Sequence, residues 1–152
     1  MTEKKKSPED FLPECMKQQL ILLNNLLDIT KQIEVQSRQH REDIAILADR
    51  RQVYIDRLQK CRALIDAACR EFPEDRRERR KKIISGHFAE EDCTPEEKIL
   101  LDLGRKSDGV LQETLALDRE ARGRLTEECR SIQSRLRAVR KQNPAKEYPA
   151  NR

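Results

Sequence analysis

Tryptophan is absent from the chain, and three Phe with two Tyr are its only aromatics in 152 residues. So few large rings leave little material for one thick central core. Glycine and proline are also scarce, at four and six, which excludes the many tight turns of a β sandwich or barrel. The longest uninterrupted apolar run, residues 44 to 48, is far short of the roughly 20 needed to span a bilayer. No CxxC pair occurs among Cys15, Cys61, Cys69, Cys93 and Cys129, and no secretory leader precedes them. Reduced thiols in a cytosol are therefore expected. There is no Gly-rich phosphate loop and no nucleophile with a base at a recognisable spacing, and neither His40 nor His87 stands in a motif. The chain is read as a non-enzyme without catalytic residues, cofactor or metal. His87 and Cys93 with a distant cysteine lack the ligand pairs of a zinc finger.

What is abundant is charge. Charged residues make up 39% of the chain against 36% hydrophobic, a balance that suits long helices burying one stripe each. The length fits one domain. The net +4 is the difference between 32 bases and 28 acids, so the surface is mixed. Its distribution is uneven, with ten acids against four bases over 87 to 120 and nine bases against three acids over 122 to 152. The basic end can lie along the acidic stretch or meet an acidic partner.

Periodicity supplies the architecture. Ile44, Leu47, Arg51, Tyr54, Leu58, Cys61, Ile65, Ala68 and Phe72 follow one another by alternating threes and fours, the step of a coiled-coil seam. Such a rod, about 43 Å long at 1.5 Å per residue, cannot bury its seam alone. Before it, Pro13 fits the first turn of a helix carrying two adjacent seams. One holds Met16, Leu20, Leu23 and Leu27, the other Leu22, Leu26, Ile29 and Ile33, so this helix can touch two partners. The polar stretch between the two rods predicts a turn near 36 to 41, with a continuous bent helix as the alternative.

Pro73 stops the second rod. The run 76 to 82 holds six bases and one acid, and it reads either as a phosphate-binding patch or as the solvated face of a helix extension. No interleaved aromatics support base stacking. Thr94, Pro95 and Glu97 then spell an N-cap, a first-turn proline and a capping box, so a helix begins there. Gly104, or Ser107 with Asp108 and Gly109, could kink it. Beyond them Leu111, Leu115, Asp118, Arg122, Leu125, Cys129, Ile132, Leu136 and Val139 form another seam, in which Asp118 and Arg122 are placed for an i,i+4 pair. Cys61 and Cys129 are both expected to pack as small apolar groups.

The expected fold is an all-α, coiled-coil-like bundle of long antiparallel helices at about 14–36, 42–72 and 95–142, with a connector at 73–94. The single domain would span 13–142, between flexible ends at 1–12 and 143–152. The stretches QLILLNNLLDITKQI, IAILADRRQVYIDRLQKC and LALDREARGRLTEECRSIQSRLRAVRKQ, with Tyr148 in the tail, give an order of features similar to the flagellar export chaperones of the FlgN type. FliT-type chaperones share much of it, and RRERRKKIISGHFAEEDC has no counterpart in that pattern. The resemblance implies a cytosolic chaperone of the flagellar type III secretion route that holds hook-filament junction (hook-associated) proteins before export, in reach of the export apparatus. Its cargo helix would lie on Leu125, Cys129, Ile132, Leu136 and Val139, with Arg130 and Arg137 in the basic rim. The same five apolar residues could instead close the chain's own bundle. A basic coiled-coil protein binding nucleic acid, and a homodimeric scaffold joined along the 44 to 72 seam, are the competing readings.

Overall fold

The computed structural model describes residues 8–39 and 43–142, and among them four α-helices and one 3-10 turn are joined without a strand. Helix α1 is Pro8–Gln39, α2 Ile44–Arg70, α3 Glu74–Ile84 and α4 Pro95–Gln142, with the 3-10 turn at Glu90–Asp92. The protein is an all-α helical bundle. His40, Tyr148 and the ends at 1–7 and 143–152 lie outside the described residues.

Helix α1 is central because its apolar face is wide. Met16, Leu22, Leu23, Leu26, Leu27, Ile29 and Ile33 are all buried, and the helix packs against both α2 and α4. Its start differs from the expectation at Pro13. The helix begins at Pro8, where a missing N–H costs nothing, and Glu9 and Asp10 in its first turn suit the positive helix end. Residues 8–12 thus belong to the fold, and Leu12 is fully buried.

The predicted seam of α2 meets α1 in the same chain. Leu47, Leu58, Cys61, Ile65, Ala68 and Phe72 are buried, and Ile44, Arg51 and Tyr54 half-buried. A scaffold dimer built on that seam would have to strip α1 away. Arg51, the one polar member, is answered across the bundle by Asp118 of α4 at 3.2 Å, and Asp118 also holds Arg122 at 2.9 Å. Two polar seam positions therefore form one layer.

The connector is more ordered than a linker. Pro73 is extended, its carbonyl accepts from the Arg76 and Arg77 amides, and α3 starts afresh beyond it. Gly86, at φ +82°, ends α3, with its amide on the Ile83 carbonyl and the His87 amide on the Lys82 carbonyl. Ile83 is fully buried, which ties α3 to the core. Helix α4 runs through Gly104, Ser107 and Gly109 without a break. Gly104 is instead a point of close approach, since a Cβ there would meet the Ile84 carbonyl group and lie 3.1 Å from the Gly86 nitrogen.

The buried face of α4 corrects the expected seam. Leu100, Gly104, Ser107, Thr114 and Ala121 are buried with Leu111, Asp118 and Leu125 half-buried, whereas Leu115 is 41% exposed and Arg122 is exposed. The contact stripe shares positions 111, 118 and 125 with the prediction but alternates them with small or hydroxylated residues. Of these, Gly104 admits the neighbouring backbone closely, and the Thr114 hydroxyl satisfies itself on the Val110 carbonyl at 2.7 Å.

Candidate partner-binding end of helix α4

The bundle ends before α4 does. Near the last turn of α1, Glu34 is buried and accepts hydrogen bonds from Arg124 of α4 and, at 2.7 Å, from Arg38. The Arg124 hydrogen bond, helped by Arg38 and opposed by burial, holds the Glu34 carboxyl below its ordinary range. Just beyond this tie an open cleft of about 740 Å³ lies between the end of α1 (Ser37, Arg38) and α4 (Arg124, Glu128, Ser131, Arg135).

Past that point every described α4 side chain except half-buried Leu125 and Glu128 is exposed, over about 26 Å of helix. Ile132 is 46% exposed, Leu136 52% and Val139 56%. Cys129 is exposed as well, which corrects its placement as a core thiol. With Leu125 these residues form one stripe at steps of four and three. Arg130 and Arg137 are exposed. At about 100° per residue they fall well round the helix from the stripe, and Arg135 and Arg140 stand along its edges. Arg135 reaches the Ser131 hydroxyl at 3.1 Å. Between 130 and 141 there are five bases and no acid. This end is a basic amphipathic helix with one apolar line open to a partner.

No protein-family model, curated protein or solved structure matches the chain.

Three of the six bases in the interior basic run are engaged within the fold. Glu97, buried at 3% exposure, accepts from Arg79 at 2.8 and 2.9 Å and from Arg80 at 3.3 Å. Glu97 also completes the predicted capping box, with its carboxylate taking the Thr94 amide at 3.0 Å and its own amide donating to the Thr94 hydroxyl at 3.2 Å. These donors, led by Arg79, hold the Glu97 carboxyl down to about 2 despite its burial. The Arg79 guanidinium also sits 4.7 Å above the Phe88 ring and that of Arg80 5.1 Å above Phe72, and Arg77 donates to the Phe72 carbonyl. Arg76, Lys81 and Lys82 remain outward.

His87 is exposed and Cys93 half-buried, and among the described residues no group of three or more His, Cys, Asp or Glu could hold a metal ion. No helix of the described residues is long and apolar enough to cross a membrane. One feature escaped sequence reasoning. An apolar groove of about 370 Å³ between α1 and α2 is walled by Phe11, Cys15, Leu22, Cys61 and Leu64. Phe11 belongs to the stretch expected to be frayed, and the only sequence signal for it was Pro8 followed by two acids.

Proposed function

We propose that the chain is a helical binding protein that holds an amphipathic segment of another protein on the free end of α4. Read with the FlgN-type resemblance, it acts as a cytosolic chaperone of flagellar type III secretion, keeping hook-filament junction proteins from aggregating before export, and it performs no catalysis. The observation that carries this reading is the exposure of Ile132, Leu136 and Val139 on a helix whose earlier turns are sheathed by α1. Burying these half-exposed side chains contributes on the order of 1 kcal/mol each, so the stripe suits a reversible grip rather than a permanent one. Its basic edges steer an acidic amphipathic helix towards it, speeding encounter more than tightening the complex.

Nucleic-acid binding is the weaker reading, because Arg77, Arg79 and Arg80 are engaged within the fold and Arg76, Lys81 and Lys82 alone make a short patch. The test is a pull-down with purified hook-filament junction proteins, comparing wild type with the double variant Ile132→Asp, Leu136→Asp. Wild type captures them and the folded double variant does not. Equal capture by both removes the stripe as the binding surface.

A further inference from the structure

A thiol of α2 meets the main chain of a second cysteine where α1 packs on α2. Cys15 and Cys61 are each 6% exposed, and the Cys61 thiol donates to the Cys15 carbonyl at 3.3 Å. The Cys61 sulfur is thus seated against the main chain of the other cysteine, and both remain free thiols. They also wall the same open groove, so small molecules in it lie beside both residues. Arg57, Lys60 and Glu14 also line it. Two cations against one carboxylate favour an anionic visitor.

We infer that Cys15 and Cys61 form a redox clip, closed by an anionic low-molecular-weight disulfide of the glutathione type. The Cys61 thiolate attacks one sulfur of oxidised glutathione, forming a mixed disulfide and releasing the first glutathione as its thiolate. Cys15, as thiolate, then attacks the Cys61 sulfur, forming the Cys15–Cys61 bond and expelling the second glutathione. The protein loses two electrons and two protons, and two reduced glutathiones carry them away. Burial raises both thiols above their ordinary range, so the closed bundle reacts slowly. Once closed, the bond joins α1 to α2 across a 46-residue separation and leaves the free end of α4 untouched.

The other cysteines frame the experiment. Cys93 and Cys129 are the more accessible thiols, and replacing both by serine leaves Cys15, Cys61 and Cys69, the last being buried apart from the groove. This full-length variant is treated with oxidised glutathione, unfolded, alkylated and weighed. The clip predicts a mass loss of about 2 Da, a single alkylated thiol at Cys69, and full reversal by dithiothreitol. It also predicts a thermal midpoint several degrees above that of the reduced form, because a long loop is closed. Adding Cys15→Ser abolishes the mass loss. Three alkylated thiols, or glutathione retained on Cys15 or Cys61, would overturn the inference. Neither outcome bears on the binding stripe of α4.

Discussion

Replacing Glu97 by glutamine isolates the charge at the junction of α3 and α4, because the amide keeps the shape and can still cap Thr94. The carboxyl is held at about 2, against an ordinary 4.5, by Arg79 first and then by the Thr94 amide and Arg80. A displacement of that size corresponds to roughly 3 kcal/mol of preference for the ionised form in the folded state. The Arg79 side chain is 40% exposed, so water screens part of this and about 2 kcal/mol is the expected contribution. Its sign is fixed by linkage. A carboxyl lowered on folding stabilises fully above its unfolded value, near 4.5, and the contribution fades as pH falls towards about 2. Urea unfolding followed by circular dichroism should therefore show wild type more stable than Glu97→Gln near neutral pH. That difference should shrink by about 2 kcal/mol on moving from about pH 6 to about pH 2. A difference that stays flat across this range would refute the argument, since the loss would then come from packing or capping and not from charge.

Four further outcomes are expected. Gly104→Ala should lower stability by about 1 to 3 kcal/mol in thermal unfolding, since the new Cβ strikes the Ile84 carbonyl group of α3. Gly109→Ala and Gly123→Ala, where a Cβ meets nothing within 4 Å, should each raise stability by roughly 1 kcal/mol through helix propensity. Glu34→Gln should cost about 1 kcal/mol and speed amide exchange in the last turn of α1, because Arg124 and Arg38 lose their shared carboxylate. Ile132→Asp with Leu136→Asp should leave unfolding within about 0.5 kcal/mol of wild type, as both side chains already face solvent.

Where one type of residue repeats on one face, the fold was legible from the letters alone. The α2 seam lies buried or half-buried along its length, and the Thr94 capping box forms with both of its reciprocal bonds. The α4 seam was read one step to the side, because Ser107, Thr114 and Ala121 do not look like core. Thr114 becomes core only because its hydroxyl finds the carbonyl one turn back, a local bond that hydropathy ignores. The pairing of Arg51 with Asp118 joins residues 67 positions apart, and periodicity carries no information about which helices face each other. The candidate stripe was visible as a seam, but its exposure depends on where α1 stops, and a polar stretch without Gly or Pro marks that end poorly.

A helix that outlasts its neighbours also carries a gradient of local stability. Amides of α4 beneath α1 open only with the bundle, whereas those past Arg124 are held by little more than a few turns of unsupported helix, too short to be robust in water. Hydrogen–deuterium exchange should fall into a slow block and a fast block, with the boundary at the Glu34–Arg124 tie. An occupant of the stripe would move that boundary outward, so its arrival could be read from the chain's own amides without labelling the partner.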